Sequence, residues 1–132
     1  MDPRTVNHLR TGQRNRDLAR ALLAQPGLAP TPWEWVAVVA FYAAVHYVNA
    51  YLWEAARIAP VNHTQRRARV NATRAIRRCR HSYDRLQTAG YQARYDEEFA
   101  LAEHVAGRLV TVELRAVEAA VMAALRLPAP TW

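Results

Sequence analysis

From Trp35 to Trp53 the sequence WVAVVAFYAAVHYVNAYLW holds no Asp, Glu, Arg or Lys, in a chain otherwise rich in arginine. With no period-two alternation, a run like this predicts a helix that is apolar nearly all round. Such a helix belongs at the centre of a bundle or across a membrane. Thr31 is placed to act as its N-cap, Pro32 falls where a missing N–H costs nothing, and Glu34 completes a T-x-x-E capping box. Pro60 limits the other end, so the spacing predicts a helix over about 32–58. His46, Asn49 and three tyrosines lie inside the run, and three other segments have apolar faces that need a partner. Both features favour the bundle core, so no membrane partner is expected.

The flanking segments show helical spacing of a different kind. A first helix is expected over about 5–24, and its inward stripe turns polar on stepping back from Leu22 and Leu18 to Asn15, Thr11 and His8. Gly12, one turn from His8, would let a neighbour approach closely. A third helix is expected over about 62–89, buried along Ala72, Ile76, Cys79, Tyr83 and Leu86 and ended by Gly90 at C′. On a single helix Arg67, Arg74, Arg78, His81 and Arg85 then form the opposite stripe, either a solvated face or a phosphate-contacting surface in which Arg67, Arg78 and Arg85 bind nucleic acid. Arg66 falls at the core boundary, where it could lean over the second helix. A fourth helix is expected over about 97–126, capped by Asp96 and ended by Pro128 and Pro130. Short links favour an antiparallel up-and-down four-helix bundle of the all-α class in a single domain.

Polar positions on the central helix carry the chemistry. Tyr42, His46, Asn49 and Trp53 share one face. A buried His or Asn without a partner costs about 1–3 kcal/mol, so something must satisfy them, and His8 and Asn15 are the nearest candidates. Two readings stay open: a hydrogen-bond network that fixes helix register, or a functional pocket. Composition adds charge, with 18 basic residues, all arginine, against 11 acidic ones, for a net +7 that favours polyanions. The single Cys79 allows no internal disulfide and the start MDPRTVNHLR is polar, which together predict a cytoplasmic protein. No CxxC, H-E-x-x-H, Walker loop, G-x-S-x-G or dinucleotide fingerprint is present, so neither metal nor cofactor is expected.

The ordered fragments H-L-x-x-G-x-x-N (His8 to Asn15), F-Y-A-A-V-H-Y-V-N-A-Y-L (Phe41 to Leu52), H-x-x-R (His63 to Arg66), Y-x-x-L (Tyr83 to Leu86) and A-R-Y (Ala93 to Tyr95) span nearly the whole chain. In that order the chain resembles the HEPN-like family of small prokaryotic helical-bundle proteins. The resemblance implies an up-and-down bundle that is often a homodimer. It also implies RNA or nucleotide as a partner, with many members acting as metal-independent ribonucleases in toxin–antitoxin, abortive-infection or phage-defence systems, alongside a cognate antitoxin or other partner protein. Other members are inactive interaction modules. The family's Arg-x4–6-His signature has two counterparts by spacing: Arg57 with His63, which straddle Pro60, and Arg74 with His81, followed by Tyr83. At the signature's usual place stand Arg94 and Tyr95 with no histidine after them.

Cleaving RNA without a metal needs a base near neutral pKa for the 2′-hydroxyl and a fixed cation for the phosphate. His46, His63 and Arg66 supply those groups as the candidate catalytic set, with His8, Asn15, Asn49 and Tyr95 as supporting polar groups. Arg74, His81 and Tyr83 form the alternative set, which requires a dimer interface that includes the exposed stripe.

Overall fold

The computed structural model describes residues 1–25 and 33–132, which fold into five helices with no strand among the described residues. These are α1 (Pro3–Leu23), α2 (Trp33–Ala56), α3 (His63–Ala72), α4 (Arg80–Tyr95) and α5 (103–124). The uncharged helix is the core. Phe41, Tyr47 and Val48 of α2 are fully buried, and Ala37, Ala40, Ala43, Ala44 and Ala50 let α1, α4 and α5 pack close to its backbone. By length and composition α2 is the one helix among the described residues that could cross a membrane, and most of it is buried against the other helices. Thr31 and Pro32, expected to start it, lie outside the described residues. Glu34 instead accepts the backbone N–H of Leu101 at 3.3 Å.

The helix ends owe more to side-chain capping than to proline or glycine. Asp2 caps α1 by accepting from the Arg4 N–H at 2.8 Å, so α1 begins two residues before the expected start. The same Asp2 oxygen accepts the Trp53 indole N–H at 3.0 Å, and Glu54 accepts the Thr5 hydroxyl at 2.7 Å. These bonds tie the start of α1 to the end of α2 and make the pair antiparallel. Pro60 does not stop α2, because Arg57 already turns the chain at φ 55°, four residues after Trp53.

Other helix boundaries also differ from expectation. The expected 62–89 helix is two: α3 ends at Ala72, Thr73 is extended, and a 3-10 turn at Arg77–Cys79 leads into α4. Ile76, Cys79, Tyr83 and Leu86 are buried as their spacing predicts, while Ala72 is exposed. Gly90 is not a C′ residue but lies inside α4, where a β-carbon would stand 3.0 Å from Phe41 Cβ. Asp96 caps no helix: it accepts the Glu98 N–H at 3.0 Å, but 96–102 stays irregular and α5 begins at Glu103. Inside α5 the stretch Leu109–Leu114 is π-helical between α-helical Glu103–Arg108 and Arg115–Ala124. Glu113 and Glu118 are both buried on this helix. Arg78 reaches the Ala119 carbonyl and Arg85 reaches Glu113, which sets α4 antiparallel to α5.

Candidate functional site

Three helices deliver polar groups to one place. On α2, His46 and Asn49 face α1 and α3, and each finds a partner from a different neighbour. His8 of α1 meets His46 with the two Nδ1 atoms 2.9 Å apart. Arg66 of α3, only 6% exposed, donates from Nε to Asn49 Oδ1 at 2.8 Å and from Nη1 to His63 Nδ1 at 2.9 Å. Guanidinium has no acceptor, so His63 Nδ1 must be bare and its proton must sit on Nε2. His63 also packs its ring on Phe41, centroids 5.1 Å apart. Beside His8 and Asn49 lies a cavity of about 60 Å³ lined by Arg4, Trp53, Ile58, Ala59 and Pro60.

The electrostatics of this cluster are one-sided. Burial lowers the pKa of all three imidazoles, and arginines lower it further: Arg4 and Arg66 for His8, Arg66 and Arg14 with His8 for His46, Arg66 and Arg94 for His63. Among the described residues no carboxylate bonds to any member, and Asp2 and Glu54 are taken by Arg4, Trp53 and Thr5. The cluster is therefore neutral imidazole beside uncompensated guanidinium, suited to accept a proton and to hold an anion.

The expected supporting groups divide. Asn49 is in the network, but Asn15 is half-buried and makes no side-chain hydrogen bond among the described residues. Tyr95 is 67% exposed and stacks beside Tyr91 at 5.0 Å, outside the network. The alternative set, expected to form only across a dimer interface, does not come together within one chain. Arg74 sits on the turn after α3, His81 lies in the first turn of α4, and Tyr83 is fully buried under Phe41, its phenol pushed up to about 12 by burial. His81 instead lines an open concavity of about 640 Å³ with Asn71, Arg77, Arg80 and Asp84. The helix break also interrupts the single basic stripe, and three of its arginines, while still exposed, each bond within the protein. Arg67 pairs with Asp84 at 2.6 Å, Arg85 with Glu113 at 3.1 Å, and Arg78 with the Ala119 carbonyl at 3.3 Å.

Two features went unread in the sequence. Arg94 donates to the Tyr42 hydroxyl at 2.9 Å and lies 5.3 Å from the Tyr95 ring, placing a cation at the site's outer edge. Its place between Ala93 and Tyr95 in the A-R-Y fragment was the available signal. Farther along α1, Arg16 pairs with Glu118 at 2.6 Å. An acid within the otherwise apolar spacing of α5 was the only sign of that pair. Among the described residues no three His, Cys, Asp or Glu side chains gather as a metal would require. No family model matches the chain, and no curated protein or solved structure matches it either.

Proposed function

We propose that the chain is a HEPN-like bundle, with α3 and α4 together forming one bent arm of a four-arm arrangement, and that it acts on or binds RNA. In this reading it is a metal-independent endoribonuclease of a toxin–antitoxin or phage-defence system, working as a cytoplasmic homodimer. The observation that supports it is the meeting of His46, His63, Arg66, His8 and Asn49 from three helices with no carboxylate to neutralise them. An RNA phosphate would supply the missing negative charge, with Arg66 and Arg94 flanking it, while a neutral imidazole withdraws the 2′-hydroxyl proton.

One observation favours a second reading, a non-catalytic interaction module. Arg66 is buried, and both Nε and Nη1 already have partners, so the cluster is largely satisfied from within. The two readings part on mutation. If the inner cluster cuts RNA, His46→Ala and Arg66→Ala abolish cleavage by the purified protein while Arg74→Ala and His81→Ala leave it intact. The reverse pattern moves the site to the α3–α4 junction, and no cleavage by the wild type leaves the module. RNA affinity should in either case fall steeply as salt rises, and a salt-independent affinity removes RNA as the partner.

A further inference from the structure

The hydrogen bond between His8 and His46 joins like atoms, and that restricts its chemistry. Two Nδ1 atoms 2.9 Å apart leave room for one proton, so one ring must donate and the other accept. In the neutral pair the donor ring has a bare Nε2 and the acceptor ring has a protonated one. One end of the pair is thus a base and the other an acid. The rings lie 5.2 Å apart between centroids and are tilted by 39°, each half-buried.

Among the described residues the charged groups acting on the pair are all cationic. Arg4 and Arg14 approach from α1 and Arg66 from α3, while His63 is held neutral by Arg66. The acids that join α1 to α2, Asp2 and Glu54, are bound to other partners. An imidazolium trapped on either ring would be repelled from three directions, so a proton taken up at one end is driven out at the other. His8 opens on the cavity of about 60 Å³, room for about two waters in a polar setting. His46 lies on the side of Asn49, Arg66 and Tyr42.

We propose that His8 and His46 form a proton relay in which His46 serves a substrate hydroxyl and His8 exchanges with water in the cavity. The proposal rests on the RNA reading. Nε2 of His46 takes the 2′-hydroxyl proton as the P–O2′ bond forms. The shared proton moves from His46 Nδ1 to His8 Nδ1, and His8 Nε2 releases its own proton to the cavity water. As the P–O5′ bond breaks, His46 Nε2 returns its proton to the departing 5′ oxygen, the shared proton moves back from His8 Nδ1 to His46 Nδ1, and His8 Nε2 regains one from water. Bonds and protons balance over the cycle, and no net charge stays beside Arg66.

The test uses 15N-labelled imidazoles in the full-length protein together with His8→Asn, which keeps a hydrogen-bonding group near Nδ1 but cannot carry a proton. A relay predicts one Nδ1–H shared by the two rings, both rings moving together in a single pH step, and an independent His46 titration in His8→Asn. Separate titrations in the wild type, or a His46 curve unmoved by His8→Asn, overturn it. Circular dichroism of the variant establishes that it folds, and the mirror variant His46→Asn, read at His8, decides the matter if it does not. In an assay on an RNA oligonucleotide, His8→Asn should lower kcat on the order of tenfold or more with KM unchanged. A purely positioning role for His8 predicts an unchanged kcat and also overturns the relay. If the wild type cuts no RNA, the function reading and the hydroxyl step fall together, while the titrations still decide whether the pair shares a proton.

Discussion

Two polar clusters interrupt the core of this molecule, and they are built on opposite electrostatic plans. Near the start of α1, His8, His46, Asn49, His63 and Arg66 meet without an acid. Two turns farther along α1, Arg16 meets Glu118, which is fully buried and held to it at 2.6 Å, while Trp132 covers the guanidinium at 5.7 Å. The second cluster is closed, since its charges cancel and its task is complete once the helices dock. In the first, cationic charge is left without a counterion, so an anion from outside would complete it. Burial of polar groups alone does not mark a site. What separates the two clusters is whether the buried charge already has its opposite.

The largest expected effect comes from breaking the closed cluster. Glu118→Ala removes the buried partner of Arg16, 13% exposed at its side chain, and leaves it only the exposed Asp17 at 3.0 Å. Breaking a buried pair outright costs about 3–5 kcal/mol, and with Asp17 still bound to Arg16 the loss falls to the low end of that range, which lowers Tm on the order of 10 °C in a chain of this size. RNA affinity of the folded fraction should stay at the wild-type level. A Glu118→Ala protein that melts with the wild type, or that loses RNA binding while folded, would erase the distinction between the clusters.

The sequence carried the first cluster better than the second, and the reasons are local. His46 and Asn49 stand out because they interrupt an uncharged run; spacing then pointed at His8 and Asn15 as their partners and left Arg66 at the core boundary, and it is His8 and Arg66 that arrive. The Arg16–Glu118 pair joins residues 102 positions apart, and only its Glu118 end, an acid among the apolar positions of α5, breaks a pattern. The split of the third helix was hidden because Ile76, Cys79, Tyr83 and Leu86 keep facing the core across the 3-10 turn. Gly90 could equally be a helix end or a place of close approach, and only the ring of Phe41 decides between them. The π-helical stretch of α5, whose residues include the buried Glu113, leaves no mark in the spacing of apolar residues.

That close approach gives an intermediate effect. Gly90 abuts Phe41, whose ring supports His63, and Gly12 abuts Tyr47, where a β-carbon would stand 3.1 Å from the ring. Alanine at either position should destabilise by about 1–2 kcal/mol, overpacking being offset in part by helix propensity. The two variants should differ in function: Gly90→Ala disturbs RNA binding through His63, whereas Gly12→Ala leaves it unchanged. Equal binding by both would show that the open cluster does not depend on the Phe41 ring.

The smallest effect is in pH, where the clusters have opposite signs. His8, His46 and His63 have lowered pKa values in the fold, with burial as the main cause and the arginines adding to it. The unfolded chain therefore binds protons first as pH falls. Their contribution is complete above about 6.5 and is lost on acidification from there down through the folded-state values. Glu118 is shifted the other way, raised by burial against the pull of Arg16. Its contribution is complete below the ordinary glutamate range and is lost as pH rises through its raised value. Wild-type stability should thus sag as pH drops below 6.5, by under ~1 kcal/mol once solvent screening of the half-exposed rings is allowed for, read as a small fall in Tm. A His8→Asn/His46→Asn double variant should flatten that sag, and Glu118→Gln should deepen it by removing the opposing term. If the double variant sags as the wild type does, the imidazoles carry their charge without penalty, and the open cluster is not short of negative charge after all.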